Sequence, residues 1–131
     1  MTQDEITFKI IGCAMRVHNI LGNGFQEVIY QRCLAIELRK AGIDFVREKE
    51  QIIFYEGEEV GNRRADFIAE GNIMVELKAL INLEDVHLAQ AKNYLVAYDL
   101  PTGLLINFGG TSLQYKKVFN QKFDPKKLSE T

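Results

Sequence analysis

Two acidic residues and a lysine lie on two short apolar segments near the middle of the chain. Nine residues separate Asp66 from Glu76, and Lys78 follows two positions after Glu76. On a β-strand, Glu76 and Lys78 share one face, while Val75 and Leu77 share the other. Burying such charged groups beside a core is costly unless they are paired or bind a metal ion. These residues therefore predict an ionic cluster or a metal site at a partly buried position.

The apolar pattern predicts how these two segments pair. A hairpin with a three-residue turn over residues 70–72 sets Phe67 opposite Val75, so that apolar side chains meet on one face. The same register sets Asp66 directly opposite Glu76, where two carboxylates repel each other. A divalent cation with oxygen ligands would offset that repulsion. We therefore expect the two acids to hold Mg²⁺ or Mn²⁺, an ion that polarises a phosphate and lowers the pKa of a bound water.

Basic residues lie beside both acids. Lys78 would position the attacking water or stabilise the extra negative charge of a transition state. The alternative for Lys78 is a salt bridge to Glu76 at a strand edge. Arg63 and Arg64 directly precede the strand of Asp66, and arginine pairs suit phosphate contacts, with a solvated face as the alternative. We predict that Arg64 is a substrate-binding residue.

The elements that must position these residues follow from the spacing of apolar residues. Helical spacing predicts three helices, over residues 4–21, 25–41 and 83–99, with Asp4 capping the first. Apolar runs and alternation predict six strands, over residues 45–49, 51–55, 63–69, 73–79, 104–108 and 113–119. The order α-α-β-β-β-β-α-β-β predicts an α/β domain with a central mixed β-sheet flanked by helices. We expect this domain to span residues 1–119, followed by a polar, frayed C-terminal tail over residues 120–131.

Length and charge limit the classes of function. The chain has 131 residues, is 47% hydrophobic and 26% charged, and so can bury the core of one domain. Lys and Arg number 16 against 18 Asp and Glu, which gives a net charge of -2. That balance argues against a protein that coats nucleic acid by bulk charge, but it allows a local basic groove. The N-terminal residues are acidic and the apolar run over residues 10–15 is short, so we expect a cytoplasmic protein without a membrane segment.

The same residues support a resemblance to a known family. Asp66 followed by Glu76-Leu77-Lys78 resembles the core motif of the PD-(D/E)XK nuclease superfamily. Gln90 and Tyr94, one helical turn apart, are similar to the QxxxY signature of its RecB-like branch. The segment over residues 24–30 spells GxxExxY and looks like the short bacterial proteins named after that motif.

The resemblance covers residues 6–119 and implies a restriction-endonuclease-like core, although Ala65 stands where the family has proline. It implies that Glu27 is a third metal-site acid; the alternative is a surface acid favoured by the helix dipole. The backbone carbonyl of Leu77 would add a metal ligand. His18 is either a further ligand or a helix-end residue without a metal.

The resemblance also implies residues on the substrate side. Gln90 and Tyr94 would line that side, with ordinary helix-surface polarity as the alternative. Tyr30 lies on the same helix face as Glu27 and either orients it by a hydrogen bond or packs in the core.

Taken together, the resemblance implies a metal-dependent nuclease that hydrolyses the phosphodiester bonds of nucleic acid, with DNA favoured over RNA. A chain of this length has no room for a separate recognition domain, so we expect a homodimer or a protein partner. The alternative function is an inactive nuclease-fold binding subunit of a larger nucleic-acid-processing complex. A third interpretation is a structural domain whose acids are coincidental.

Overall fold

Three helices and five strands form the described part of the chain, residues 1–123 of the computed structural model. In chain order the elements are α1 (Gln3–Leu21), α2 (Glu27–Lys40), β1 (Phe45–Tyr55), β2 (Glu58–Ala69), β3 (Ile73–Lys78), α3 (Asp85–Tyr98), β4 (Thr102–Asn107) and β5 (Gln114–Phe119). The strands form one sheet in the order β1-β2-β3-β4-β5. Every neighbouring pair is antiparallel except β3 and β4, which are parallel.

Helices cover both faces of this sheet. The helices α1 and α2 pack on one face, around buried residues such as Leu34, Phe67 and Val75. The helix α3 packs on the other face, around Met74 and Leu95. It also provides the crossover connection that the parallel strands β3 and β4 require. The predicted α/β class, a mixed sheet flanked by helices, is confirmed.

The first two helices differ slightly from their predicted bounds. The cap of α1 is Thr2 rather than the predicted Asp4, because the Thr2 hydroxyl accepts a hydrogen bond from the backbone N–H of Glu5 at 3.2 Å. The helix α2 begins at Glu27, later than predicted. The loop before it contains Gly24 with a φ of 107°, which favours glycine and breaks the helical path.

The sequence predicts four strands before α3, but the structure has three. The predicted strands over residues 45–49 and 51–55 are one strand, β1, which pairs with β2 on both sides of the predicted break. The run of charged residues over 47–50, which includes the predicted break at Glu50, is exposed on a strand at the sheet edge, where charge is tolerated. One residue of the run, Glu48, has a φ of 52° and is missing from the ladder with β2.

The first residue of the predicted C-terminal tail packs against the domain. The predicted tail begins at residue 120, but Asn120 is buried, and its backbone N–H donates to the carbonyl of Pro101 at 3.0 Å. Residues 124–131 of the predicted frayed tail lie outside the described residues. Among residues 1–123, no helix is both long enough and apolar enough to cross a membrane.

Candidate active site

The hairpin of β2 and β3 has the predicted register where the two strands pair. Phe67 lies opposite Val75, as the apolar pattern predicts. The predicted pair of Asp66 and Glu76 is not part of this ladder, which ends at Phe67. Instead, one carboxylate oxygen of Asp66, Oδ2, accepts a hydrogen bond from the backbone N–H of Leu77 at 2.8 Å. The side chain of Asp66 thus takes the position of a backbone partner at the point where the strands separate.

A second helix fixes the other oxygen of Asp66. Gln31 of α2 is 4% exposed, and its amide Nε2 donates to Asp66 Oδ1 at 2.8 Å. The amide oxygen of Gln31 accepts from Arg47 at 2.7 Å. The sequence analysis missed Gln31, although it lies one helical turn after Glu27. The only sequence feature that could have indicated Gln31 is that a polar residue lies beside core positions of α2.

Glu76 is paired with an arginine. Glu76 is 6% exposed, and its Oε1 accepts from Arg63 Nη2 at 2.8 Å. The guanidinium of Arg63 also lies over the ring of Tyr94, 3.5 Å from its centre. The other terminal nitrogen, Nη1, is buried without a hydrogen-bond partner. The predicted alternative, a salt bridge between Lys78 and Glu76, is not among the salt bridges of residues 1–123.

The arginine at the site is Arg63, whereas Arg64 is exposed. The cause is an interruption of side-chain alternation in β2. Ala65 packs beside α3 while Phe67 packs beside α1 and α2, although residues two apart share a face in a regular strand. The interruption falls at Asp66. The facing residue of β1 is Glu48, which has a left-handed backbone conformation, and neither residue is part of the ladder between the two strands. Arg63 therefore lies on the α3 side of the sheet, where Glu76 also lies.

The helix α3 completes this side. Gln90 and Tyr94 line a small cleft together with Glu76, Lys78 and His87. The cleft has a volume of about 10 Å³, a size that holds about one water molecule. His87 is fixed locally, because its Nδ1 accepts from the backbone N–H of the helix cap at 2.9 Å. The structure thus brings the predicted substrate-side residues to the face that carries Glu76 and Lys78.

Desolvation dominates the electrostatics of the two acids. Burial raises the pKa of Glu76 from 4.5 to about 7, although the guanidinium of Arg63 opposes the rise. Burial also raises the pKa of Asp66, against the hydrogen bonds from Leu77 and Gln31. Near neutral pH, Glu76 therefore lies close to the midpoint of its own titration. Positive charge brought to this pair favours the ionised form of both carboxyl groups.

Glu27 and His18 lie apart from the two carboxylates. Glu27 is exposed in the first turn of α2. In the part of the chain that the structure describes, no three His, Cys, Asp or Glu side chains form a group that could hold a metal. His18 is buried, and its Nε2 lies 3.0 Å from the carbonyl oxygen of Gly110. That contact gives His18 a role in packing the loop after β4 against α1.

Tyr30 packs in the core and does not reach a surface that substrate would contact. It is fully buried, and its ring stacks on Phe108 with centres 4.6 Å apart. Its hydroxyl donates to the carbonyl of Gly22 at 2.6 Å and accepts from the N–H of Phe25 at 3.2 Å. Of the two predicted alternatives for Tyr30, the structure has the packing role. Tyr30 fixes the loop that precedes α2, and so it helps to determine that the helix begins at Glu27.

The fold and this pair of carboxylates can be compared with known proteins. The profile of the PD-(D/E)XK nuclease superfamily matches residues 4–118. The chain belongs to this superfamily. A search of curated protein sequences finds no match.

Two solved structures are similar to this PD-(D/E)XK chain in fold. One, described as the crystal structure of SSO0001, has a TM-score of 0.60 and 19% identity, over 79% of this chain and 54% of that one. The present chain thus spans about half the length of SSO0001. The other is an alkaline exonuclease (LHK-Exo) from Laribacter hongkongensis, with a TM-score of 0.49 and 9% identity, over 98% and 86% of the two chains. At 19% identity, the likeness to SSO0001 concerns the fold alone.

The residues of this PD-(D/E)XK site fit a divalent cation. Asp66 and Glu76 supply oxygen ligands, the type that Mg²⁺ prefers. Mg²⁺ needs only one or two protein carboxylates, because water and substrate phosphates complete its coordination. Both carboxyl groups are desolvated, and the only cation bonded to Glu76 is a guanidinium with one unpaired nitrogen, among the residues described. The donor chemistry and this incomplete charge balance both suit a metal.

Proposed function

We propose that this protein is a metal-dependent nuclease in which Asp66 and Glu76 hold Mg²⁺ or Mn²⁺. The observation that carries the proposal is the pair of desolvated carboxyl groups at the place where β2 and β3 separate. Buried carboxylates are costly without compensating positive charge. In a chain of the PD-(D/E)XK superfamily, we propose that a divalent cation supplies this charge. The reaction is hydrolysis of a phosphodiester bond.

The roles of the residues follow from their positions. When bound, a divalent cation supplies Lewis-acid activation of the phosphate and of water. Gln31 and the Leu77 N–H hold both oxygens of Asp66 in place, so this carboxylate is oriented before any ligand arrives. Lys78 shares the cleft with Glu76, where its ammonium positions the water or stabilises developing negative charge.

The remaining candidates complete the proposal. Gln90 and Tyr94 bind the substrate from α3, and the exposed Arg64 contacts phosphate outside the cleft. Glu27 is the third acid once its side chain turns toward the site. The carbonyl of Leu77 and the ring of His18 are further candidate ligands, although Nε2 of His18 already has a backbone partner.

The motif residues also support a closer placement within the superfamily. The GxxExxY segment over residues 24–30 has its tyrosine buried under the loop that starts α2, so this motif builds a defined local structure. We propose, on this segment and on the pair Gln90 and Tyr94, that the protein is one of the GxxExxY proteins of the RecB-like branch. The cytoplasmic location expected from the acidic N-terminal residues stays a prediction.

The substrate we propose is nucleic acid, with DNA favoured, gripped with the help of a second copy of the chain or a protein partner. The net charge of -2 favours such help, because a lone nuclease gains affinity from positive potential. The same charge supports the second candidate function, an inactive nuclease-fold subunit that binds nucleic acid within a larger complex.

A cleavage assay separates these functions. We would incubate the protein with single- and double-stranded DNA and with RNA, in Mg²⁺, in Mn²⁺ and with chelator. We expect metal-dependent cleavage, reduced roughly 100-fold or more in Lys78→Ala. Lys9→Ala is the matched control, since Lys9 is exposed on α1, in the helical layer on the other face of the sheet. Nucleic-acid binding without cleavage would favour the inactive subunit, and the absence of both would contradict the proposal.

A further inference from the structure

Arg63 is the positive charge closest to Glu76 in the described structure. Its Nη2 donates to Glu76 Oε1 at 2.8 Å, and both side chains are nearly buried, at 15% and 8% exposure. Its charge also opposes the rise in the pKa of Asp66. The guanidinium therefore acts electrostatically on both carboxylates of the proposed metal site, as a divalent cation would.

The contacts of Arg63 are incomplete for a structural ion pair. The nitrogen Nη1 is buried with no hydrogen-bond partner, which leaves an unmet desolvation cost. A buried ion pair offsets its desolvation only when the remaining donors are also satisfied. Stacking on Tyr94 holds the flat face of the guanidinium but does not satisfy the unpaired N–H group. A divalent cation can therefore replace Arg63 as the partner of Glu76.

The backbone of Arg63 pairs with one neighbouring strand only. The ladder between β2 and β3 covers only Phe67 to Ala69, so Arg63 pairs with β1 alone, opposite Gln51. A movement of the Arg63 side chain therefore breaks its bond to Glu76 Oε1 but no backbone hydrogen bond to β3. Asp66 and Glu76 can keep their positions while Arg63 leaves.

We propose that Arg63 is the counter-ion of Glu76 when no divalent cation is bound, and that cation binding transfers its guanidinium to a phosphate of the nucleic acid. This inference rests on the proposed function, because it requires the metal site at Asp66 and Glu76. A divalent cation beside Arg63 would place three positive charges against two carboxylates. Repulsion then favours the departure of the guanidinium, and phosphate is the anion it pairs with best, through two parallel N–H groups. Arg63 is thus a positioning residue for Glu76 first and a substrate ligand afterwards.

The first test follows Arg63 by NMR in the labelled full chain. The Tyr94 ring lies 3.5 Å from the guanidinium and shifts the side-chain signals of Arg63 upfield, and Tyr94→Leu identifies those signals. Titration with Mg²⁺ alone should remove the upfield shift, over the same concentrations that move the Leu77 amide signal. A Leu77 signal that moves while the Arg63 signals stay would overturn the inference but leave the metal site. If neither signal moves, the proposed metal site fails, and the inference fails with it.

The second test measures competition for Glu76. We would titrate Mn²⁺ calorimetrically into wild type and Arg63→Gln well above neutral pH, where protons no longer compete for the carboxyl groups. Removing the competing guanidinium should tighten Mn²⁺ binding several-fold. Arg39→Gln is the matched control, because Arg39 is exposed at the end of α2 and should leave the affinity unchanged. Unchanged or weaker Mn²⁺ binding in Arg63→Gln would refute the competition.

The third test addresses phosphate. In a Lys78→Ala background, which slows cleavage, we would measure the binding of a short DNA duplex with Mg²⁺ and with chelator. Arg63→Gln should weaken binding several-fold in Mg²⁺ and have no effect in chelator, because only the displaced guanidinium reaches the DNA. An equal loss under both conditions would contradict the transfer.

Discussion

Replacement of Glu76 by glutamine tests the burial of its carboxyl group through the pH dependence of stability. The native protein holds the proton of Glu76 more tightly than the unfolded chain, since burial raises its pKa from 4.5 to about 7. The contribution of this group to stability is therefore complete below about pH 4.5 and is lost as the pH rises toward 7. Each pH unit corresponds to about 1.4 kcal/mol, so the full loss is roughly 3 kcal/mol.

Glutamine has nearly the same shape and stays neutral, so Glu76→Gln escapes this loss. We expect the free energy of unfolding of Glu76→Gln, relative to wild type, to rise by about 2.5 kcal/mol between pH 5 and pH 8, because a small part of the full loss occurs below pH 5. Urea denaturation followed by circular dichroism, in chelator, measures it at each pH. Glu59→Gln, at an exposed position of β2, corrects for the general effect of losing a carboxylate. The reasoning is refuted if the difference between Glu76→Gln and wild type is the same at both ends of this range.

Two further substitutions test the local supports of the site. Tyr98→Phe should lower the free energy of unfolding by about 1–3 kcal/mol, because the Tyr98 hydroxyl forms hydrogen bonds with one backbone group of β1 and one of β2. The control Tyr94→Phe keeps the aromatic ring of residue 94 and should change the free energy of unfolding little. Gly109→Ala should lower the free energy of unfolding by about 3 kcal/mol or more, since its Cβ would clash with the backbone carbonyl oxygen of Leu80. Gly12→Ala, which meets open space, should be tolerated. Urea denaturation measures both, and a Tyr98→Phe protein as stable as Tyr94→Phe, or a Gly109→Ala protein as stable as Gly12→Ala, would contradict the corresponding contact.

The alternation of apolar residues was sufficient to predict the register of β2 and β3. Residues that are buried on one face repeat every second position, so Phe67 opposite Val75 follows from the sequence. The same logic fails at Asp66, because a carboxylate that accepts a backbone N–H ends the ladder there. Alternation cannot indicate such a side-chain bond, since the bond depends on where the strands separate in three dimensions.

The identity of the arginine at the site depends on that same irregularity. As a pair, Arg63 and Arg64 suit phosphate contacts, and the sequence analysis named Arg64 as the candidate substrate contact. The interruption of β2 brings Arg63 to Glu76 instead. Gln31 was missed for a related reason. Its partner Asp66 lies on another element, and the spacing of residues along one helix does not indicate contacts with other elements.

A calorimetric titration of Mn²⁺ into the metal-free protein tests the central claim most directly, namely that Asp66 and Glu76 form a cation site. Asp66→Asn removes one ligand charge, and Asp44→Asn is the control at an exposed position just before β1. We predict saturable binding in wild type and Asp44→Asn, abolished in Asp66→Asn. The absence of binding in wild type at millimolar Mn²⁺, or an equal affinity in Asp66→Asn, would contradict the account.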